Sequence, residues 1–317
     1  MPAADPGRLA MGCANAGNLW QAITDDEAAA LHGAAWDSGI RWFDTAPHYG
    51  LGLSERRLGA FLAGQPRDEF VVSTKVGKLL VPSPETAGRW DEQGFAVHAD
   101  QRRVWDFSPA GIRASLAGSR QRLGLDRIDV ALLHDPDEQA PAAVGPAITS
   151  GLGALAALRE AGTVDMIGIG SKSTDALLAA ARTGLVDVVM VAGRYTLLEQ
   201  PAAEWLLPEC AERGITVLVA GVFNSGLLAT SDPGPDARYE YGDVPPSVLA
   251  RARSLAARCT AHGVELPTAA LQFPLRHPAV GRVVIAGADA AQVRQNVERA
   301  AAPVPDELWA ELEAVPA

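Results

Sequence analysis

Cysteine is scarce in this chain: Cys13, Cys210 and Cys259 are the only three in 317 residues. So few and so scattered, they exclude a disulfide framework and a zinc-binding cluster. Cys210 and Cys259 fall in helical patterns and read as small buried residues. Cys13, on the first strand near the expected pocket, reads either as buried or as a reactive thiol. Positive charge is also short, with 27 Lys and Arg against 38 Asp and Glu and a net charge of -11. Nucleic acid is therefore not an expected partner, because phosphates call for clustered Lys and Arg. The sign is equally wrong for an anionic membrane surface, and the acidic balance reads as solubility. No stretch approaches the ~18 consecutive apolar residues of a membrane span. Met1–Pro6 carries neither a basic region nor an apolar one of the signal-peptide kind, so a cytoplasmic protein is expected.

What the chain does have is 48% hydrophobic and 21% charged residues, the balance of a globular protein with a large core. Short runs rich in Val and Ile, near 9–14, 40–45, 70–76, 128–134, 166–171, 186–192, 215–222 and 282–287, read as strands. Helical patterns lie near 25–38, 54–63, 108–123, 151–161, 174–183, 199–213, 246–262 and 289–299. The strands are continuously apolar, best seen in Ile128-Asp129-Val130-Ala131-Leu132-Leu133, as a parallel sheet buried on both faces requires. Helix punctuation agrees: Thr24-Asp25-Asp26-Glu27 and Ser108-Pro109 open helices, and Gly39, Gly124, Gly162, Gly184 and Gly214 follow helix ends. Eight strand–helix units in one chain predict an α/β fold, a (β/α)8 TIM barrel, as one domain over 1–317. A doubly wound open sheet would need G-x-G-x-x-G after its first strand; Gly12-Cys13-Ala14-Asn15-Ala16-Gly17 lacks that spacing.

Two segments break the rhythm. Residues 78–107 hold Trp90, Phe95, Trp105 and Phe107, and 224–245 is rich in Pro, Gly and Asp. Both follow strands and read as long loops on the carboxyl-end face, where barrel enzymes keep their sites. Four chemically distinct residues converge there by strand position. Asp44 ends the second strand, Tyr49 follows on its loop, Lys75 lies near the end of the third strand, and His134 ends the fourth. Lys75 is a charge inside an otherwise apolar strand and needs a partner; Asp44 on the adjacent strand is the obvious one. Alone, that pair is equally a structural ion pair. A tyrosine beside the ammonium, however, would have its phenolate stabilised and could exchange a proton with an alcohol or carbonyl oxygen. His134 would hydrogen-bond and orient the same oxygen. Ser54 and Glu55 stand where a helix N-cap and a first-turn anion belong.

The run Asp44-Thr45-Ala46-Pro47-His48-Tyr49-Gly50-Leu51-Gly52-Leu53-Ser54-Glu55-Arg56-Arg57-Leu58-Gly59 resembles the signature of the aldo-keto reductases. The likeness extends over roughly residues 8–300. Asp44, Tyr49, Lys75 and His134 match the family's catalytic tetrad in order and strand position. Arg122 to Asp129, Ala192 to Leu198 and Phe223-Asn224-Ser225-Gly226-Leu227-Leu228 are similar to the branch of aldose 1-dehydrogenases and L-galactose dehydrogenases. The resemblance implies an NAD or NADP cofactor across the barrel mouth and oxidation of an aldose such as L-fucose at C1 to its lactone. It places Phe223 under the nicotinamide, Asn224, Ser225, Gly226 and Leu227 at the pyrophosphate, and Ser171 at the carboxamide, with Lys172 where the family often has Asn. Gly287, Ala288, Gln292, Gln295 and Asn296 match the adenosine end. Family members that require a 2′-phosphate usually have Lys and Arg where this chain has Gly287 and Gln292, so NAD is expected over NADP, with Arg294 a candidate substitute. Trp20 and His48 are the expected substrate-pocket residues beside Tyr49 and His134; Trp90 and Trp105 either join them or pack the loop. The implied partner is a small sugar or aldehyde, and the chain is expected to be a monomer or weak oligomer. A pyridoxal-type or general aldehyde oxidoreductase remains open, as does a cofactor-bound regulatory subunit.

Overall fold

The computed structural model describes residues 6–138, 143–240 and 242–313; Met1–Asp5, read above for targeting signals, and Tyr241 in the 224–245 segment lie outside them. In chain order the strands are β1 (Leu9–Gly12), β2 (Trp42–Asp44), β3 (Val71–Val76), β4 (Lys78–Pro82), β5 (Gln101–Trp105) and β6 (Ile128–His134), then β7 (Val164–Ser171), β8 (Val188–Ala192), β9 (Thr216–Ala220), β10 (Arg238–Tyr239), β11 (Gly242–Asp243) and β12 (Val280–Ile285). Eight of them close into a parallel barrel in the order β1-β12-β9-β8-β7-β6-β3-β2. The helices are α1 (Asp25–Asp37), α2 (Leu53–Leu62), α3 (Pro109–Leu123), α4 (Val144–Glu160), α5 (Thr174–Ala181), α6 (Leu206–Arg213), α7 (Pro246–Ala261), α8 (Leu266–Gln272), α9 (Ala290–Ala301) and α10 (Asp306–Glu313).

The continuously apolar strands serve two cores at once. Val130 and Leu132 of β6 and Val188 and Met190 of β8 join Ala10, Trp42, Leu218 and Val284 in one cluster. The alternate residues Ala131, Leu133, Val189 and Val191 belong to the larger cluster shared with the helices. Alternation along a strand thus separates barrel interior from helix layer, and both sides must be apolar.

Helix starts follow their local chemistry. Thr24 and Glu27 form the reciprocal capping box at α1, and Ser108 accepts from Gly111 N at α3. Ser54 does not cap α2: Gly52 is the N-cap, and the buried Ser54 hydroxyl donates to Cys13 O at 2.7 Å. Helix α4 starts at Val144, seven residues before the expected 151. Gly145 and Pro146 look like breakers, but a proline in the first turn has no hydrogen bond to lose. The helix expected at 199–213 begins only at Leu206, after a 3-10 turn at Pro201–Ala203. An earlier start would bury Pro208 in its interior.

The segment expected to be a loop over 78–107 contains an antiparallel hairpin, with Lys78 opposite Trp105 and Leu80 opposite Arg103. Within 224–245, β10 and β11 pair antiparallel, Arg238 opposite Asp243 and Tyr239 opposite Gly242. Helices α8 and α10 have no counterpart in the sequence reading. Leu266 through Leu271 are all buried, so α8 has no polar face to give it a helical period. Among the described residues no helix is long and apolar enough to cross a membrane, and no group of three or more His, Cys, Asp or Glu is placed to hold a metal.

Candidate active site

Parallel register brings the tetrad to one end of the barrel. Asp44 lies opposite Gly12 and Ser73, Lys75 opposite Leu132, and His134 opposite Gly170. Lys75 Nζ approaches Asp44 Oδ2 at 2.6 Å, and both side chains are nearly inaccessible at 3% and 4% exposure. The ammonium also donates to Thr45 O at 3.0 Å, while Ser73 Oγ donates to the other Asp44 oxygen at 2.7 Å. Burial pulls the Lys75 ammonium down, but Asp44 and Tyr49 beside it outweigh that and leave it above its usual value. Tyr49 shares a side-chain hydrogen bond with Lys75, whose Nζ lies 4.8 Å from the phenol ring centroid. The pairing read from the sequence is present, and it has the tyrosine directly on it.

His134 stands edge-on to Tyr49, with ring centroids 6.1 Å apart and planes at 89°. Burial and then Lys78, Lys75, His48 and Arg103 hold its imidazole far below the usual histidine range, so it is neutral. Its 3.3 Å contact from Nε2 to Asp135 Oδ2 is therefore not an ion pair. His48 packs 5.5 Å from His134 and 6.1 Å from Tyr49. Burial first, then Arg103, Lys78 and Lys75, depress its pKa to about 2.

Phe95, from the segment between β4 and β5, faces this cluster at 5.4 Å from His48 and 6.0 Å from Tyr49. Arg103 on β5 donates to His48 O at 2.8 Å and is clamped by both oxygens of Asp91 at 2.6 and 3.0 Å. Trp20 stands at the rim of the barrel mouth. It is 48% exposed, lies over Gly94 and has the Arg238 guanidinium 4.4 Å from its ring, so it bridges two of the rim loops. Trp90 stacks on His98 and is 61% exposed, while Trp105 packs beneath the Lys78 ammonium. Cys13 is inert: burial and the neighbouring Asp44 push its thiol far up.

The residues expected at a cofactor lie along the rest of the rim. Ser171 ends β7; its hydroxyl donates to Asp137 Oδ1 at 2.6 Å and accepts from Ser173 N. Lys172 and Arg194 both bind Glu240, at 2.8 and 2.7 Å, which ties the segment after β9 to the ends of β7 and β8. Beyond β9, Phe223 is half-buried and Asn224, Ser225 and Gly226 all have positive φ. The Asn224 side chain is buried, and neither its Oδ1 nor its Nδ2 has a protein partner. Buried amides without partners are rare, so this one fits a bound polar group. Leu227 is buried behind it. Past the end of the neighbouring strand β12, Asn296 of α9 donates to Ala286 O at 2.9 Å, and Ala288 N donates to Gln292. Asp289 caps α9 by accepting from Gln292 N. Gln292, Arg294 and Gln295 are exposed and line an open groove of about 380 Å³ with Asp289 and Glu298.

The sequence reading did not single out Phe95, Arg103, Lys78 or Asp135 as site residues. Lys78 carried the signal that marked Lys75, a charge beside apolar residues, here Leu79, Leu80 and Val81. Arg103 had none, since only the hairpin pairing brings it to His48.

The sequence pattern of the Aldo/keto reductase family matches residues 8–317. A D-threo-aldose 1-dehydrogenase from a Pseudomonas species is 55% identical over 306 residues, spanning 96% of this chain and 92% of that protein. The pyridoxal 4-dehydrogenase of Microbacterium luteolum is 38% identical, over 96% of this chain and 92% of its own length. Among solved structures, the holo form of an aldo-keto reductase from Bacillus halodurans superposes with a TM-score of 0.75 at 25% identity, covering 96% of this chain and 91% of that one.

Proposed function

Because this chain belongs to the aldo/keto reductase family, and so is a nicotinamide-dependent oxidoreductase, we propose that it oxidises an aldose such as L-fucose at C1 to the lactone. The observation that carries the chemistry is Tyr49 lying on the buried Lys75–Asp44 pair. The aldose assignment is supported by the 55% identical aldose dehydrogenase.

In this reading the anomeric hydroxyl of the pyranose sits between Tyr49 and His134. Tyr49, as the phenolate that the Lys75 ammonium stabilises, takes its proton as the C1–H bond gives up its electron pair and the C1–O bond becomes a carbonyl. Asp44 keeps the ammonium charged and in place, since an unpaired buried cation would otherwise be expelled or neutralised. Neutral His134 hydrogen-bonds the oxygen without contributing a charge. A bound nicotinamide supplies the two-electron acceptor. Phe223 would support its ring and Ser171 its carboxamide, with Asp44 beside it. Ser171 has its donor committed to Asp137 and so would act there as an acceptor. Asn224, Ser225, Gly226 and Leu227 would hold the pyrophosphate, with the partnerless Asn224 amide as the strongest support. Gly287, Ala288, Gln292, Gln295 and Asn296 would take the adenosine end. Trp20 and His48 would line the sugar side. NAD is preferred over NADP in this proposal, because Asp289 and Glu298 share the groove with the lone cation Arg294. Each charge-assisted phosphate contact that is lacking forgoes about 1.5–3 kcal/mol.

The test is steady-state formation of reduced cofactor with L-fucose, D-arabinose, L-galactose, simple alcohols and pyridoxal, each with NAD and with NADP. Turnover of a sugar with NAD, lost in Tyr49→Phe, is the expected result. Turnover of pyridoxal alone would move the assignment towards the 38% identical relative, and equal efficiency with NADP would reject the cofactor preference.

A further inference from the structure

We propose that Trp42 and Ser73 are positioning residues that act on Tyr49 from inside the barrel, through Asp44. The proposal rests on the reading above only in taking Tyr49 as the group that accepts the proton.

The interior of a (β/α)8 barrel is ordinarily filled by branched apolar side chains, and Val130, Leu132, Val188 and Leu218 follow that rule here. Trp42 shares their cluster, and Ser73 is fully buried beside it. An indole N–H and a hydroxyl are thus enclosed where packing alone calls for neither. Side chains alternate along a strand, so Trp42 lies on the face of β2 that carries Asp44, and Ser73 on the face of β3 that carries Lys75. Asp44 stands opposite Ser73 in register. Trp42 Nε1 donates to Ser73 Oγ at 3.0 Å, and Ser73 Oγ donates to Asp44 Oδ1 at 2.7 Å. Asp44 Oδ2 takes the Lys75 ammonium at 2.6 Å.

Chemistry fixes the direction of this chain. An indole N–H only donates and a carboxylate only accepts, so the serine turns a lone pair to Trp42 and its proton to Asp44. In a dry interior each bond polarises the next. Two consequences reach Tyr49. Asp44 is kept from turning away from Lys75, because its second oxygen is held. Tyr49 also responds both to the Lys75 ammonium, which favours the phenolate, and to the Asp44 carboxylate, which opposes it. A donor on Oδ1 draws negative charge towards Ser73 and leaves more of the ammonium's field for the phenol. The other titratable groups around the pair are Cys13 beside Asp44, and His48 and His134 beside Tyr49. Lys78 and Arg103 act on those two histidines, and the Arg282 guanidinium lies 5.0 Å from the Trp42 ring centroid. A serine that served only as the partner a buried indole needs would leave Tyr49 indifferent to both residues.

The experiment follows the ionisation of Tyr49 in Ser73→Ala, Trp42→Phe and the double variant. Tyrosinate absorbance is titrated in the cofactor-free protein, with Tyr49 assigned by comparison with Tyr49→Phe among only four tyrosines. The pH profile of kcat/KM for oxidation is recorded over the same range. Ser73→Ala should move the Tyr49 ionisation, and the rise of kcat/KM with pH, upward by roughly half to one pH unit, and Trp42→Phe by less. Ser73→Ala also strands a buried indole N–H and so lowers stability. The double variant strands no donor and should recover part of that stability while keeping the shift. Ser73→Thr, which retains the hydroxyl, should titrate as the wild type does. A wild-type Tyr49 titration in the double variant would overturn the proposal, as would a shift in Ser73→Thr equal to that in Ser73→Ala. The absorbance arm needs no substrate, so a failure of the aldose assignment would leave it readable.

Discussion

His32, on the inner face of α1, is fully buried and neither of its ring nitrogens has a partner. It packs 5.6 Å from Phe61 and edge-on to Phe43 at 6.4 Å. Burial, with Arg57 as a smaller cause, lowers its pKa from 6.5 to about 4. The unfolded chain therefore takes up a proton as pH falls through 6.5, while the folded protein does not until about 4. Stability is complete above that window and is lost within it, by up to about 3 kcal/mol from this residue. His48 and His134 act in the same direction. In His32→Leu the fall in denaturation free energy between pH 6.5 and 4 should be shallower than in the wild type by that amount. Parallel curves would show that His32 does not titrate as described. His32 stood in the sequence as one residue of a helical pattern; its lack of partners comes from what packs over it.

At the scale of elements, the Tyr49 loop is fixed by the loop after β1. An added side chain on Gly17 would meet the Tyr49 carbonyl carbon at 2.8 Å, and Gly50, at φ 60°, lies backbone-to-backbone against Gly17. Ser54 ties α2 to Cys13 O, and Arg57 reaches back to Ala16 O, Asn18 Oδ1 and Ile23 O at 2.7–2.9 Å. The phenol position thus depends on two glycines touching. Gly17→Ala is expected to lower kcat on the order of 10²-fold by displacing Tyr49. Gly88→Ala, which meets nothing within 4 Å, is the matched control and should retain activity. Equal kcat in the two variants would show that the contact does not place the tyrosine. Neither glycine announces this contact in the sequence, because the two are 33 positions apart and only the parallel pairing of β1 with β2 brings their loops together.

For the whole molecule, the Asp44–Lys75 pair is a charge pair inside a closed barrel. Breaking it should cost more than removing it. Lys75→Met alone leaves Asp44 buried and uncompensated and is expected to destabilise by about 3–5 kcal/mol, whereas Asp44→Asn with Lys75→Met should recover much of that. Denaturant midpoints of the two single variants and the double variant test this, and strict additivity would mean that the pair carries no coupling. Both single variants should also be inactive, which activity assays would report independently of stability.

The sequence by itself determined the order of the eight barrel strands, most of the helices between them and the gathering of Asp44, Tyr49, Lys75 and His134 at one end of the barrel. Each of these rests on a local pattern: a short apolar run, a capping residue, a lysine in an apolar strand beside a strand ending in aspartate. Tertiary structure decided what local pattern does not carry. The β4–β5 hairpin pairs across residues 83–100, and α8 is buried on every side and so shows no period. Arg238 comes to Trp20, and Arg103 to His48, only because loops from different strands meet at one rim. Side-chain period and charge are properties of neighbours along the chain; partners across the barrel mouth are chosen by closure, which brings distant positions within hydrogen-bond reach.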